Sequence, residues 1–194
     1  LVLLGIIHAR TPFWVPQGGP WSIGVGHSSE FPMQFPQSND RIISIAELQA
    51  QVPNAQFVAD PFFSWEGDTL YVFFELKIKE VPNAKIGVFT STDGLRFQYQ
   101  GIALEEPFHL SYPQVFRHQN QWYLVPETAQ SNQVLLYEAI DFPMQWRVCD
   151  TLVVNRALKD PTLYLSDTLN VLVASDNDLN LHAFTANSLR GQWT

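Results

Sequence analysis

Carboxylic acids and a phenol occupy one repeated position in this sequence, directly before a proline. Asp60, Tyr112 and Asp160 each precede a proline, and these prolines are 52 and 48 residues apart. Glu75 and Glu127 each follow 14 residues after one of the first two prolines. Carboxylates accept hydrogen bonds from sugar hydroxyls, and a pair about 5 to 9.5 Å apart can cleave a glycosidic bond. These residue types therefore favour sugar recognition or glycoside chemistry, provided that the fold brings them together.

The strands around these positions repeat with the same spacing. Each unit of about 48 residues contains short apolar strands separated by turn residues such as Glu66–Asp68 and Asp93–Gly94. Four strands per repeat of this length is typical of propeller blades. The sequence therefore predicts an all-β protein, a β-propeller of four-stranded antiparallel blades whose first strands line a central channel.

The repeat also predicts how the chain is divided within a single propeller domain or fragment. Residues 57–104 form one blade, residues 109–154 a second blade and residues 158–194 a partial third blade. Residues 1–56 form a lead-in, in which Trp21–Val25 is expected to supply an outer strand to the closing blade and Leu1–Ile7 to form a buried strand. Since a closed ring needs about four or more blades, the propeller is expected to be incomplete in this chain.

In such a ring, the residues that open the inner strands converge on one mouth of the channel. Asp60, Tyr112 and Asp160 are expected to meet there. Glu75 and Glu127 end the antiparallel second strands and are expected to return to the same mouth. We predict that Asp60, Glu127 and Asp160 are catalytic and that Tyr112 and Glu75 bind the substrate.

Each candidate also has an ordinary structural explanation. An aspartate before a proline begins many strands, because proline favours an extended start. Glu127 follows a proline that interrupts a strand, so it is either a site residue or a surface group at a strand end. Glu75 precedes Leu76-Lys77 and is expected to be more solvated. His109 is predicted to bind substrate by donating to a sugar or phosphate oxygen, with a loop-capping role as the alternative.

Charge and composition narrow the range of partners. The formal net charge of −8 argues against a nucleic-acid partner, which needs a basic surface. Runs of Lys and Arg that would hold an anionic membrane are absent from the sequence, and no direct membrane insertion is predicted. The other histidines share no spacing with each other or with Cys149, so no metal site and no cofactor is predicted. The expected ligand is a carbohydrate or a glycolipid, and the sequence does not indicate a localisation.

A hairpin segment at Ser91–Phe97 is loosely similar to the hairpin box Ser-x-Asp-x-Gly-x-Thr-Trp of sugar-processing propellers. Its simpler interpretation is a well-formed hairpin turn, because Asp93-Gly94 is a strong two-residue turn signal. We therefore expect this segment to shape a turn.

Several segments together resemble one family. They are His109-Leu110-Ser111-Tyr112-Pro113, Pro126-Glu127-Thr128, Trp21–Val25, Phe73-Phe74-Glu75 and Leu136–Ala139. The family is the N-terminal domain of glucosamine inositolphosphorylceramide transferases and their bacterial relatives, and the resemblance covers nearly all of the chain from Trp21 on. It implies a five-bladed propeller similar to those of arabinanases, xylosidases and invertases.

The resemblance also implies roles for particular residues. In those glycosidases an aspartate of the first blade acts as base or nucleophile, a second aspartate tunes pKa values and a glutamate acts as general acid. Asp60 matches the first aspartate, whereas Tyr112 occupies the place of the second, so the glycosidase triad is not intact. Glu127 is the counterpart of the general acid in this resemblance. The alignment of the repeats does not fix its position in the blade.

Transferase activity is not carried over to this chain. In the plant proteins, sugar transfer is attributed to a separate exostosin-like C-terminal domain, and nothing in this sequence resembles that domain. The resemblance therefore implies a propeller that is fused to a transferase domain or works with one.

Three functions stay open at this point. The first is a glycan- or glycolipid-handling propeller that binds sugar in its central funnel. The second is a glycosidase-like enzyme that uses Asp60 with Glu127 or Asp160. The third is a protein-interaction propeller that depends on rim loops such as Asn83–Lys85.

Overall fold

The computed structural model describes residues 21–26 and 41–194. These residues form strands almost throughout, which confirms the predicted all-β class. The predicted strand Leu1–Ile7 lies outside the described residues.

One short helix, α1 (Ile45–Gln49), and one 3-10 turn (Ala129–Ser131) are present in the described part of the chain. The strands in chain order are β1 (Ile23–Val25), β2 (Arg41–Ile43), β3 (Ala55–Glu66), β4 (Thr69–Ile78), β5 (Lys85–Ser91), β6 (Gln98–Leu104), β7 (Ser111–His118), β8 (Gln121–Glu127), β9 (Gln133–Asp141), β10 (Gln145–Val154), β11 (Lys159–Tyr164), β12 (Asn170–Ser175) and β13 (Leu181–Ala186).

Eleven of these strands form three antiparallel sheets, each of which follows sequence order from its inner strand outward. The first sheet is β3-β4-β5-β6, the second is β7-β8-β9-β10 and the third is β11-β12-β13. In the third sheet Thr194 pairs with Thr185 of β13 through two backbone hydrogen bonds of 2.8 and 3.1 Å. Two complete blades and a third of three strands thus match the predicted repeat.

Consecutive sheets pack face to face through apolar side chains. The middle strands are buried on both faces, so they are apolar almost without interruption, as in Val72–Leu76 of β4. Burial of these faces is the main source of stability for sheets that cannot bury both sides alone. The core between the first two sheets includes Phe73, Ile86, Leu110, Leu124 and Tyr137, and the core between the second and third includes Val125, Leu136, Leu163, Leu172 and Trp193.

The lead-in packs on the remaining face of the first sheet. β1 and β2 pair with each other, and Ile23, Ile43 and Leu48 bury their side chains against β3 and β4. The helix α1 begins at Ser44 with a reciprocal capping box to Glu47, which satisfies donors at its first turn. A strand therefore forms within Trp21–Val25, while its membership of a closing blade stays a prediction. No helix in the described ranges has the length and apolar character needed to cross a membrane.

Candidate functional site

Each inner strand has a β-bulge at the repeated position before proline. Asp60, Tyr112 and Asp160 have φ angles of 51°, 47° and 50°, and the strand register shifts at each of them. A positive φ is uncommon for residues with a side chain and costs free energy. The expectation of an extended strand start is therefore wrong, since Asp60 lies in the left-handed region inside β3, which begins earlier, at Ala55.

The bulges turn these three residues toward one mouth and join neighbouring blades there. The backbone N–H of Tyr112 donates to Oδ2 of Asp60 at 3.2 Å. One blade further on, the backbone N–H of Asp160 donates to Oε2 of Glu127 at 3.3 Å. A bulge re-aims side chains and frees a backbone donor from the strand ladder. The same displaced N–H thus meets a carboxylate of the preceding blade at both junctions.

Glu75 lies beside the first bulge and forms a pair with Asp60. It is opposite Ala59 in the β3–β4 register, and its carboxyl hydrogen-bonds with that of Asp60. Glu75 is only 7% exposed, so the expectation of a more solvated side chain is wrong. Leu76 is buried, and the Lys77 amine donates to the carbonyls of Val81 and Pro82.

Burial and crowding shift the protonation of this pair. Burial, followed by the charges of Asp60 and Glu127, raises the pKa of Glu75 to about 8. Burial also raises the pKa of Asp60, while the Tyr112 N–H and the hydrogen bond from Glu75 act in the opposite direction. The hydrogen bond between the two carboxyls separates their pKa values, which is how paired acids acquire different roles. Near neutral pH, the Glu75 carboxyl carries the proton, and Asp60 is the acceptor of the hydrogen bond.

Glu127 and Asp160 form a second pair, across two blades. Their side chains hydrogen-bond, and burial together with the negative charge of Asp160 raises the pKa of Glu127 to about 7. The backbone N–H of Asp160 and the charge of Lys159 act in the opposite direction. A carboxyl that titrates near neutral pH can serve as a proton donor or as a proton acceptor.

His109 lies behind the first pair, at the edge of the mouth. Its Nε2 is 3.5 Å from Oε1 of Glu75, and its Nδ1 is 3.5 Å from the backbone N–H of Ala84. Burial and the charge of Lys77 lower the pKa of the ring, so the ring is uncharged near neutral pH. The His109 backbone N–H donates to Oε1 of Gln130 at 3.0 Å.

Aromatic rings complete the surroundings of the acids. The Tyr112 hydroxyl lies 3.1 Å from Oγ1 of Thr162 in the next blade, and the Tyr112 ring meets Phe62 edge to face with centroids 4.8 Å apart. A cleft of about 380 Å³ opens beside the mouth and is lined by Trp21, Asp60 and Glu75, among others. Sequence reasoning placed Trp21 in a strand and missed its place in the cleft wall; its aromatic type next to a lead-in strand was the only available signal.

All six predicted site residues are thus brought together at one mouth: Asp60, Glu75, His109, Tyr112, Glu127 and Asp160. Two other predicted features have contacts of their own. Asp93 accepts the backbone N–H groups of Leu95 and Arg96 at 2.9 and 2.8 Å, which is the turn role expected for the hairpin segment. In the rim loop, Asn83 donates to the carbonyl of Pro107 and Lys85 pairs with Glu105.

Two solved structures illustrate the fold that this chain shares with known proteins. The catalytic domain of an α-L-arabinofuranosidase from Coprinopsis cinerea matches with a TM-score of 0.58 and 19% identity, over 73% of this chain and 50% of that chain. Native arabinanase from Bacillus subtilis matches with a TM-score of 0.55 and 15% identity, over 73% of this chain and 55% of that chain. These likenesses show the fold alone. They confirm the predicted β-propeller of the five-bladed type.

The sequence gives a narrower assignment than the fold. Residues 4–193 match the family described as glucosamine inositolphosphorylceramide transferase 1, N-terminal. The transferase 1 of Oryza sativa subsp. japonica is 33% identical over 204 residues, 93% of this chain and 27% of the relative. That of Arabidopsis thaliana is 33% identical over 175 residues, 90% of this chain and 22% of the relative. The chain belongs to this N-terminal family and spans about a quarter of the length of these relatives.

Proposed function

We propose that this protein is a glycan- or glycolipid-handling domain that binds a sugar at the mouth of its inner strands. The observation that carries the proposal is the meeting of Asp60, Glu75, Glu127 and Asp160, from three successive blades, around one mouth. Hydrogen bonds from hydroxyls to carboxylates are stronger than those between neutral groups, so such a mouth suits a polyol. The family name and the propeller fold both support a role in sugar chemistry.

The size and lining of the cleft support a small sugar ligand. Ligand sites commonly begin near 300 Å³, and the cleft beside Asp60 and Glu75 measures about 380 Å³. Trp21 is 57% exposed and offers an aromatic face on which the C–H side of a sugar ring can stack. The cleft thus offers both a polar edge and an apolar wall.

The charge of the mouth favours an uncharged sugar over a phosphate-bearing one. Within the described ranges no Lys or Arg forms an ion pair with the four acids, and the basic group nearest to Glu75 is the uncharged ring of His109. A phosphate would meet this group of acids, and like charges in a partly buried site repel strongly. The sugar hydroxyls are therefore the groups that we expect the mouth to recognise.

A second candidate function is glycoside hydrolysis by Asp60 with Glu127 or Asp160. The pKa of about 7 for Glu127 favours it, because a general acid must carry a proton near the working pH while its partner is ionised. In this scheme Glu127 protonates the leaving oxygen and Asp60 acts as base or nucleophile. Tyr112 stands where the resemblance places a second aspartate, so the pair acts without that residue.

The partner expected from the comparisons is a transferase domain. The relatives are named as transferases, and they match this chain over about a quarter of their length. We infer that the propeller is fused to a transferase domain or works with one, and that it presents the glycan or glycolipid on which transfer takes place.

A glycan array followed by calorimetric titration tests the binding proposal. Asp60→Asn keeps the size of the side chain and removes its charge, and Asp93→Asn is the matched control in the hairpin turn. A bound sugar should lose affinity by about 10-fold or more in Asp60→Asn, since a hydrogen bond to a charged group is worth about 1.5–3 kcal/mol, and keep it in Asp93→Asn. If the wild-type protein retains no sugar on the array, or if both variants bind equally well, the proposal is wrong.

The variants Asp60→Asn and Glu127→Gln separate binding from catalysis. A hydrolase should release sugar from a bound oligosaccharide, and both variants should lose this turnover even at substrate concentrations high enough to offset the weaker binding of Asp60→Asn. Binding without turnover in the wild type contradicts the second candidate. A protein partner retained by both variants and lost on substitution in Asn83–Lys85 would instead support a protein-interaction propeller.

A further inference from the structure

His109 directs both ring nitrogens toward the protein. Nδ1 faces a backbone N–H, that of Ala84, and can only accept from it. An uncharged imidazole carries one proton, so the proton must lie on Nε2, which points to Oε1 of Glu75. The protonated nitrogen therefore faces Glu75 at 3.5 Å, and the other ring nitrogen faces the Ala84 N–H.

The loop that carries His109 is fixed by two blades. From the first blade, the Ala84 carbonyl accepts the N–H of Leu110 at 3.2 Å, and the Asn83 amide donates to Pro107 at 2.8 Å. From the second blade, the Gln130 side chain accepts the His109 N–H at 3.0 Å. A ring held from both sides keeps its orientation when the mouth is empty, which is the preorganisation that a site residue needs.

The contact with His109 lies at one end of a chain of polar contacts. Nε2 faces one Glu75 oxygen at 3.5 Å, the Glu75 carboxyl hydrogen-bonds with that of Asp60, and Asp60 also accepts from the Tyr112 N–H. The other charged groups that act on Glu75 are Glu127 on β8 and Lys77 on its own strand. Neither of them supplies a donor that could replace His109 at this carboxyl.

We propose that His109 is a positioning residue, which holds Glu75 so that the Glu75 proton faces Asp60 and Asp60 is presented to the ligand as a fixed acceptor. His109 itself does not touch the sugar. The part of this inference that concerns the sugar rests on the proposed function, whereas the orientation of Glu75 by His109 does not.

The test is an NMR titration of the Glu75 carboxyl in the ligand-free, ¹³C-labelled protein. His109→Gln places an amide donor near the position of Nε2, whereas His109→Asn places it near Nδ1, so the two variants differ mainly in the donor to Glu75. Loss of a donor to the ionised carboxylate should raise the Glu75 midpoint by about 0.5 pH unit or more in His109→Asn, and His109→Gln should stay close to the wild type. An unshifted or lowered midpoint in His109→Asn, or equal shifts in both variants, would overturn the proposal.

Two further variants guard against a general loss of structure. His118→Asn, at the far end of β7, should leave the Glu75 midpoint unchanged. If His109→Asn does not fold, Gln130→Ala removes the acceptor of the His109 N–H and keeps the ring, and a smaller shift in the same direction is expected. No shift in Gln130→Ala would then overturn the proposal.

Sugar affinity measured in parallel distinguishes this inference from the proposed function. His109→Asn should weaken sugar binding by about 5-fold or more, and His109→Gln should restore it. If the wild-type protein binds no sugar and the titration shift is still present, the positioning role stands and the proposed function is wrong. Weakened binding in both variants, with an unshifted Glu75 midpoint, would show that His109 contacts the sugar directly and would overturn the proposal.

Discussion

The acids at the mouth and the acids in the outer turns behave in opposite ways. Asp93 accepts hydrogen bonds from two backbone N–H groups and the Arg96 side chain, and Asp176 accepts from Asn180 and His182, so both have pKa values below their usual range. At the mouth, burial and neighbouring acids raise the pKa of Glu75 and of Glu127. Turn acids are satisfied by donors within a few residues, whereas the mouth acids depend on donors from other blades.

This difference separates the acids that stabilise the fold from the acids that are available to a ligand. An acid surrounded by donors stabilises its own turn and has little capacity left for a ligand. An acid with a single backbone donor and an acidic neighbour destabilises the folded state when it ionises, and it gains from any hydroxyl that a ligand brings. This contrast supports the proposal that a polar ligand binds at the mouth.

The largest expected effect is on the pH dependence of stability at Glu75. Its pKa is about 8 in the folded protein against an ordinary value of 4.5, so the folded state keeps a proton that the unfolded chain has lost. The free energy of unfolding should therefore fall as pH rises from about 4.5 to about 8, and Glu75→Gln should remove this fall. We expect Glu75→Gln to gain on the order of 2 kcal/mol relative to the wild type between pH 5 and pH 8, as measured by urea unfolding.

Asp93→Asn is the control for this prediction. Asp93 titrates below pH 4 in both the folded and the unfolded protein. Its substitution should therefore leave the pH dependence of the free energy of unfolding unchanged between pH 5 and pH 8. Parallel pH profiles for Glu75→Gln and the wild type would show that Glu75 is not a buried, protonated acid.

A smaller effect is expected where Tyr112 joins two blades. Tyr112→Phe removes the hydroxyl that lies 3.1 Å from Thr162, at a cost of about 1 kcal/mol or less. A double-mutant cycle with Thr162→Val should show a coupling of the two side chains. Tyr164→Phe is the matched control, because the Tyr164 ring is exposed and its hydroxyl has no hydrogen bond within the described part of the chain. Additive effects of Tyr112→Phe and Thr162→Val would mean that this contact does not link the blades.

The smallest effect is expected in the exposed turn at Asp93. Its ionised form is stabilised in the folded state, so this contribution is present above the ordinary value of 3.8 and is lost as pH falls below it. Asp93→Asn should lower Tm slightly at pH 6 and make the protein less sensitive to acid between pH 4 and pH 2. An unchanged acid transition in thermal scans would show that the turn hydrogen bonds add nothing to stability.

The sequence predicted the fold well because the repeat is a property of the residues themselves. Matching offsets placed the prolines of three inner strands, and the residues before them do lie at one mouth. The hairpin at Asp93-Gly94 was also predicted, because its turn type depends on two adjacent residues. Periodicity identifies equivalent positions in successive blades, and equivalent positions in a ring of blades lie at the same end of the ring.

The chemistry of the site was harder to predict from the same pattern. The left-handed φ of Asp60 could not be inferred, because a bulge depends on register with the partner strand. Glu75 is buried beside Asp60 and His109, and the pairing of Glu127 with Asp160 depends on contact between blades. These features are set by tertiary packing between residues far apart in sequence. Local residue types do not determine that packing.

The proposal that acids of successive blades form one sugar-binding mouth can be checked by an NMR titration with neutral pentose and hexose oligosaccharides. The amides of Tyr112 and Asp160 donate to Asp60 and Glu127, so their signals report on both junctions. We expect both amides to shift together along one binding curve, while the amides of Leu95 and Arg96 at Asp93 do not move. Shifts confined to the Asp93 turn, or no shift at Tyr112 and Asp160 with any sugar, would contradict it.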